Sequence, residues 1–194
     1  MSAPKLNDQL RAEYNRRFTS AVITKSRIPA VSEAADAVKA GRARYERVAD
    51  QTGVPWWLIG IIHNLECNSS WTKHLHNGDS LARRTHRKPA GRPPRGTPPF
   101  DWEFSAVDAV QYDGLHRWKD WSLPGCLYKL EAFNGFGSRK RGVATAYLWS
   151  FSDQYRRGKF IKDNVWSPTA ISKQVGAALI LKTLVAQGVV TFPA

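Results

Sequence analysis

The sequence of 194 residues contains little sulfur. Its only cysteines are Cys67 and Cys126, and its single methionine is Met1. Two thiols are too few for a disulfide framework or for a zinc site with four cysteine ligands. A single bridge between the two cysteines is open from the sequence, but two buried free thiols are the better expectation.

Acidic residues are also scarce. The chain has 16 Asp and Glu residues against 29 Lys and Arg residues, which gives a formal net charge of +13. Such a charge attracts an anionic partner. Nucleic acid, an acidic membrane surface and an anionic cell-wall polymer all meet that condition.

Long apolar runs are missing. The longest continuous one in the C-terminal segment spans residues 175–181 and is bracketed by Lys173 and Lys182. It is far shorter than a membrane-spanning helix. The N-terminal residues lack the apolar core of a secretory signal. We therefore expect a protein that is made in the cytoplasm without a signal peptide.

Hydrophobic residues make up 42% of the chain, which is typical of a globular protein. Helical spacing recurs and no series of alternating strands is visible, so the sequence predicts a mainly α single domain over residues 1–194. Helices are expected to surround a central buried helix, with residues 1–40 as a helical extension. Little or no β-structure is expected, and any that forms should be short and lie around residues 74–79.

Residues 83–100 differ in character from the rest of the chain. They contain six basic residues and five prolines, which exclude a regular helix. The segment predicts a long surface loop with extended pieces. It is either a basic flap beside a cleft for an anionic polymer or a solvated insertion.

Polar residues predict where several helices begin. A short aromatic helix is also expected over residues 147–155, and Gly188 is expected to end the last helix. The predicted starts are Ser32, for a helix running to about Gln51, Ser105, Ser122 before Pro124, and Ser167 for the last helix.

The strongest functional signal lies in residues 55–79. Pro55 suits a first helical turn, and apolar residues from Trp57 to Leu65 then recur at helical spacing. Glu66 closes that run before the polar string of residues 68–70. Apolar neighbours and the negative end of the helix dipole both raise the pKa of a carboxyl group placed there. A general acid that works near neutral pH needs such a shift.

Glu66 also has an ordinary interpretation, since a Glu near a helix end is usually solvated or paired with a cation. Its isolation favours the functional one. Between residues 51 and 100 the only acidic residues are Glu66 and Asp79.

Three segments in order carry a resemblance to a known group of enzymes. The first is Pro55, Leu58, Ile61 and Glu66 with their spacing, the second is LEAFNGFG over residues 130–137, and the third is the aromatic turn of residues 146–149 before a closing helix. Together they resemble the lysozyme-like superfamily, specifically soluble lytic transglycosylases and goose-type lysozymes. The resemblance covers about residues 40–187. The Gly-Leu-Met-Gln segment of the transglycosylases has no counterpart here, because the only methionine is Met1.

The resemblance implies a lysozyme-like fold and a peptidoglycan hydrolase, of the kind found among phage endolysins and bacterial wall hydrolases. Glu66 takes the role of catalytic acid. Phe133 and Asn134 take the place of the segment that positions the sugar, and Tyr147 is the tyrosine beside the cleft. An endolysin would reach the wall after release through a holin-type pore.

Cleavage of the β-1,4 bond between N-acetylmuramic acid and N-acetylglucosamine needs a proton on the leaving oxygen. A lysozyme of the inverting type also needs a second carboxylate to activate water, and Asp79 is the nearest candidate in sequence. Asp79 also fits plain turn chemistry in Asn77-Gly78-Asp79. If it is a turn residue, Glu66 acts alone and the 6-hydroxyl of the sugar is the nucleophile, which is the transglycosylase outcome.

Aromatic rings are expected to stack on the sugars. Trp71 and Trp149 are the expected stacking residues, whereas Trp56 and Trp57 are the clearest candidates for the core. His74 and His76 are expected to order a loop by hydrogen bonds or to contact the saccharide. Among these residues His76 is included in the predicted substrate site.

Two rival functions follow from other features. Four histidines lie in or near this stretch and suggest a zinc hydrolase, but their spacing matches no familiar zinc pattern. The charge and the Arg/Pro segment suggest a nucleic-acid binder, but the basic residues are spread along the chain without a known reading motif.

The prediction is a monomer with no metal and no cofactor. Peptidoglycan is the expected partner, and no stable nucleic-acid or membrane partner is expected. The four histidines that suggest the zinc alternative are His63, His74, His76 and His86.

Overall fold

Eight α-helices and one β-hairpin make up most of the regular structure of residues 3–162 and 164–192, the part of the chain that this computed structural model describes. The mainly helical class predicted from the sequence is confirmed. None of the eight helices combines the length and the apolar content that crossing a membrane requires. The helices are α1 (Asp8–Ser20), α2 (Ile28–Ala40), α3 (Arg42–Thr52), α4 (Trp56–Cys67), α5 (Trp102–Tyr112), α6 (Leu123–Asn134), α7 (Ala146–Trp149) and α8 (Ala177–Ala186). Single 3₁₀ turns cover Lys25–Arg27, Leu115–Arg117 and Arg139–Arg141.

The hairpin consists of strands β1 (Lys159–Lys162) and β2 (Val165–Ser167), which pair antiparallel. The chain forms two compact units. The middle unit comprises residues 36–119 and contains α3, α4 and α5. The terminal unit comprises residues 3–35 and 120–192 and contains α1, α6, α7, α8 and the hairpin. The division falls within α2.

Helix α4 is the buried helix of the middle unit. Its residues 58–63 are almost completely shielded from solvent, and α3 packs against both α4 and α5. Gly60 allows the neighbouring side chains to come close. A Cβ atom on Gly60 would lie 2.7 Å from Val38 Cγ1 and 2.8 Å from the ring of Tyr45. Burial of this apolar helix supplies much of the driving force for folding the unit.

The predicted helix start at Ser32 is wrong. Ser32 lies inside α2, which begins at Ile28 and has Pro29 in its first turn, where the missing N–H of proline costs nothing. The single helix expected to run on to about residue 51 is in fact two helices that meet at Gly41. A Cβ atom on Gly41 would lie 2.5 Å from the ring of Tyr45, so no larger residue fits at this joint.

Of the helix starts predicted at Ser105 and Ser122, only the one at Ser122 is correct. Ser122 caps α6 as predicted, since its side chain accepts a hydrogen bond from Gly125 N–H. Ser105, in contrast, is a buried residue inside α5, which begins three residues earlier at Trp102. The apolar contacts of α5 override the local capping pattern.

The C-terminal part of the chain departs most from the prediction. The aromatic helix expected over residues 147–155 is limited to α7, and the last helix begins at Ala177 rather than at Ser167. The hairpin formed by β1 and β2 is absent from the prediction. In β1 two half-buried residues precede two exposed ones, so the strand lacks the alternation that identifies strands in a sequence.

The core also differs in which tryptophans it buries. Trp102 and Trp149 are the fully buried ones, whereas the expected core residues Trp56 and Trp57 are only half-buried. The two cysteines are buried and free, as predicted.

A buried ion-pair cluster joins α1 to the rest of the terminal unit. Tyr14 O–H donates a hydrogen bond of 2.6 Å to Glu131 of α6. Arg139 donates to Glu131 at 2.8 Å and also to Glu13 of α1 at 2.8 Å. Burial and the Glu131 carboxylate raise the pKa of Tyr14 far above its usual value. Glu131 is only 1% exposed, so its charge depends on these partners.

We expect Glu131→Gln to lower the free energy of unfolding by roughly 3 kcal/mol, because it leaves Arg139 without its main buried counter-charge. Urea denaturation at neutral pH measures the change. The matched control is Glu46→Gln, which breaks the exposed pair of Glu46 with Arg42 and should cost less than about 0.5 kcal/mol. Equal losses in the two variants would show that the buried cluster has no special role.

Candidate functional site

The candidate acid Glu66 lies in the last turn of α4 and is half-buried. The helix ends one residue later. Asn68 and Ser69 then both adopt left-handed backbone conformations, with φ of 52° and 54°. A positive φ at two consecutive residues is uncommon when neither residue is glycine. Such conformations persist only where the surrounding structure imposes them, and they concentrate at functional sites.

Residues 72–81, here called the returning loop, bring a turn back to this helix end. His74 N–H donates to Asp79 O at 2.7 Å, and Leu81 N–H donates to Thr72 O at 2.9 Å. A single β-bridge forms between residues 73 and 80, in the place where the sequence predicted short β-structure. A Cβ atom on Gly78 would lie 2.8 Å from the backbone oxygen of Glu66. The turn therefore packs directly on the candidate acid's own peptide group.

Asp79 is almost fully buried and anchors the loop that follows. Its Oδ2 accepts hydrogen bonds from the backbone N–H groups of His86 (2.9 Å) and Arg87 (3.0 Å), and its Oδ1 accepts one from Arg87 Nε at 2.7 Å. Burial alone would raise the pKa of Asp79, but the hydrogen bonds from Arg87 and His86 outweigh it and lower the pKa to about 2. Both carboxylate oxygens of Asp79 are therefore engaged within the protein.

The basic loop (residues 83–100) is held in place at several points. The Asn77 side chain donates to the backbone oxygens of Arg87 and Lys88 at 3.0 and 3.3 Å. Arg92 forms an ion pair with Asp108 of α5. Arg87 and Lys88 are themselves exposed to solvent. The loop is thus an ordered part of the middle unit that presents positive charge from a fixed backbone.

Trp71 belongs to an aromatic cluster beside the end of α4. Its ring lies 4.6 Å from the ring of His63 and 4.8 Å from that of Trp102, measured between centroids. The Arg44 guanidinium stacks over it at 4.3 Å. Trp71 is half-buried, so part of this residue is accessible to solvent. Of the two tryptophans predicted to stack on sugars, only Trp71 has an accessible surface.

His63 and His74 have separate structural partners. His63 lies between Tyr45 O–H (2.9 Å) and the backbone oxygen of Ser70 (3.0 Å), and burial lowers its pKa to about 4. His74 lies 2.6 Å from Ser105 Oγ. Within the described residues, no three His, Cys, Asp or Glu side chains are grouped so that they could hold a metal ion.

His76 was predicted either to order a loop by hydrogen bonds or to contact the substrate, and its contacts in the structure match the first of these roles. Its side chain is fully buried, and Nε2 lies 2.9 Å from Asp108 Oδ2. Burial lowers the pKa of His76 to about 4 despite that carboxylate. A side chain without accessible surface cannot touch a saccharide, so His76 is a residue that orders the returning loop.

Asn134 and Tyr147 line one pocket of the terminal unit, although they come from different segments of the sequence. Asn134 is exposed at the end of α6, and Tyr147 is half-buried in α7. The pocket has a volume of about 550 Å³ and is called the hairpin pocket below, because β1 forms one of its walls. Its lining comprises Asn134, Gly137, Ser138, Thr145, Ala146, Tyr147, Lys159, Phe160, Ile161, Lys162, Asn164, Ser172 and Gln174.

Trp149 and Phe133 do not join this pocket. Trp149 was predicted to stack on sugars, but it is only 1% exposed and belongs to the core. Phe133 is half-buried and is not among the lining residues. The sequence analysis did not single out the lining residues of β1, which include Lys159 and Phe160.

Gly78→Ala should impair the site in two ways. Gly78 has φ of +73° and would place its new Cβ atom against the Glu66 carbonyl, so we expect a loss of stability of about 2–3 kcal/mol. Gly91→Ala is the control, because Gly91 has φ of +76° but no atom within 4 Å of the added Cβ; its cost should be about 1 kcal/mol. Thermal unfolding of both variants measures the difference, and equal shifts would contradict close packing of the turn on Glu66.

The stability contribution of Asp79 should depend on pH. Its pKa is lowered from 3.8 to about 2 in the folded protein, so the contribution is complete above the unfolded-state pKa and is lost as pH falls from about 4 toward 2. Asp79→Asn should therefore cost about 1–2 kcal/mol at pH 7 and almost nothing at pH 2. Urea denaturation over this range measures it. The exposed Asp50 gives a control, Asp50→Asn, and a constant difference at all pH values would refute the anchoring role.

Comparisons of the chain with models of protein families, with characterised proteins and with solved structures gave no match.

Proposed function

We propose that the protein cleaves the glycan strands of bacterial peptidoglycan, with Glu66 as the proton donor. The observation that carries the proposal is the hairpin pocket shared by Asn134 and Tyr147. The sequence motifs selected both residues, which lie 13 positions apart, Asn134 to position the sugar and Tyr147 as the tyrosine beside the cleft. Around them the pocket offers amide, hydroxyl and amine groups, which are suited to the hydroxyl and acetamido groups of an amino sugar.

The surroundings of Glu66 support its part in the proposal. The carboxyl group is carried by the final turn of a buried helix, and the returning loop and two left-handed residues fix that turn. A general acid has to be held firmly where the leaving oxygen will lie. In this mechanism Glu66 gives its proton to the glycosidic oxygen while positive charge develops at the anomeric carbon.

The state of Asp79 favours one of the two product types. A hydrolytic enzyme of the inverting type needs a second carboxylate that can take a proton from water. Asp79 has hydrogen bonds to both oxygens and a pKa near 2, so it is a weak base that is already occupied. This favours the lytic transglycosylase route, in which Glu66 takes back a proton from the 6-hydroxyl of muramic acid. That oxygen then bonds to the anomeric carbon and closes a 1,6-anhydro ring.

The charge of the protein agrees with a wall substrate. Peptidoglycan and its attached polymers are anionic, and the ordered basic loop presents Arg87 and Lys88 to solvent. Long-range attraction of this kind raises the rate at which a polyanion is encountered. We therefore infer that a monomer acts on the wall without a cofactor, after release from the cytoplasm in which it is made.

Mass spectrometry of fragments from purified peptidoglycan tests the proposal. The wild type should release muropeptides with 1,6-anhydro ends, and Glu66→Gln should reduce that release at least about 10³-fold, because the proton donor is lost. Glu46→Gln, an exposed surface change in α3, should retain full activity.

Other products would redirect the assignment. Reducing ends made by the wild type and lost in a folded Asp79→Asn variant would establish hydrolysis with Asp79 as base. Glycan cleavage that persists in Glu66→Gln would remove Glu66 from the mechanism. Cleavage of amide bonds alone would refute the glycosidase.

A further inference from the structure

Among the described residues, the charged side chains that line the hairpin pocket are all basic. Its charged lining residues are Lys159 and Lys162 of β1, and no Asp or Glu belongs to the lining among the described residues. Lys159 is half-buried and Lys162 is exposed. The other polar side chains of the lining are uncharged amides and hydroxyls. A ligand that fills this pocket therefore meets neutral hydrogen-bonding groups together with two positive charges.

The wall that carries the lysines is held against the turn after α6 by aromatic contacts. A Cβ atom on Gly137 would lie 2.6 Å from the ring of Phe160, so the strand approaches the turn closely only because residue 137 is glycine. The Phe160 and Trp166 rings pack edge to face with their centroids 5.1 Å apart. The Arg141 guanidinium lies 5.1 Å from the Trp166 ring centroid. These contacts hold the backbone of β1, which carries the two lysines, beside the pocket.

The muramic acid unit of peptidoglycan combines the two kinds of group that this lining can bind, neutral and anionic. N-acetylglucosamine offers only neutral groups, whereas the muramic acid unit carries hydroxyl and acetamido groups together with the carboxylates of its peptide stem. An ammonium group is a compact point charge that pairs with a carboxylate in many orientations. It is therefore suited to a flexible peptide stem.

We propose that the hairpin pocket binds the acidic, peptide-bearing part of the glycan, and that Lys159 and Lys162 make it select this part over neutral amino sugars. The inference rests on the proposed function, since it assumes that the ligand of the pocket is a wall glycan. It adds the source of the selectivity, which is a charge on β1 rather than the shape of the sugar ring.

Isothermal titration calorimetry on the full-length Glu66→Gln protein tests the proposal, because this variant should bind without cleaving. The acidic ligand is a disaccharide tetrapeptide prepared from peptidoglycan, and the neutral ligand is a tetramer of N-acetylglucosamine. We expect the acidic ligand to bind at least about tenfold more tightly at low salt. The preference should shrink as the salt concentration rises, because screening weakens exposed ion pairs.

The lysines are tested by adding Lys159→Gln and Lys162→Gln together. Affinity for the acidic ligand should fall roughly five- to thirtyfold, with little change for the neutral one. The control carries Lys5→Gln and Lys25→Gln, which remove the same charge from two exposed lysines outside the pocket. This control should keep the preference, and so should the conservative pair Lys159→Arg and Lys162→Arg. Thermal unfolding of each variant checks that it is folded.

The outcomes separate the inference from the function on which it rests. A preference that survives in the Lys159 and Lys162 double variant, an equal affinity for both ligands, or no binding of either ligand overturns the inference. Loss of glycan cleavage in Glu66→Gln alongside any of these results leaves the proposed function intact. If the wild type cleaves no glycan but the preference exists and depends on the two lysines, the enzyme assignment fails and the acidic-saccharide pocket stands.

Discussion

The packing of Gly78 against the backbone oxygen of Glu66 is the contact on which the middle unit's candidate site depends. It brings the returning loop onto the end of α4, and that loop carries Asn77 and Asp79 on either side of the glycine. Those two side chains then fix the beginning of the basic loop through its backbone N–H and carbonyl groups. A helix end, a turn and a proline-rich segment are thereby joined in one ordered structure. The positions of Glu66, Asp79 and the basic loop therefore all depend on this one close contact.

The terminal unit is organised by the same kind of constraint at a different place. Gly137 allows β1 to lie against the turn after α6, and the hairpin pocket forms between them. The buried cluster of Tyr14, Glu131 and Arg139 holds α1 on α6 in the same unit. Since α6 supplies both the buried carboxylate and Asn134, the stability of this cluster and the shape of the pocket depend on one helix.

The sequence predicted what depends on local signals and on burial periodicity. The position of α4, the capping of α6 by Ser122 and the free state of the thiols follow from residues close together in the chain. Predictions about Asp79 and His76 depended on partners elsewhere, in residues 86–87 and in Asp108. No local pattern indicates that the carboxylate of an Asn-Gly-Asp turn will accept hydrogen bonds from a later loop.

Other differences between prediction and structure have two physical causes. Strand β1 is too short and too irregularly buried to show a period of two, so its lysines were not associated with the pocket. Trp149 is buried and Trp57 is only half-buried, although both are tryptophans. Tertiary packing, not residue type, decides which indole lies in the core. The two motif segments that contain Asn134 and Tyr147 nevertheless led to two residues of one pocket.

Burial of the two thiols has a consequence for how the folded chain reacts. Burial and the nearby Glu66 raise the pKa of Cys67 to about 12, and burial raises that of Cys126 as well. Oxidants and disulfide exchange act on the thiolate, and neither side chain supplies it near neutral pH. We therefore expect both thiols to react slowly with oxidants and disulfides as long as the chain is folded.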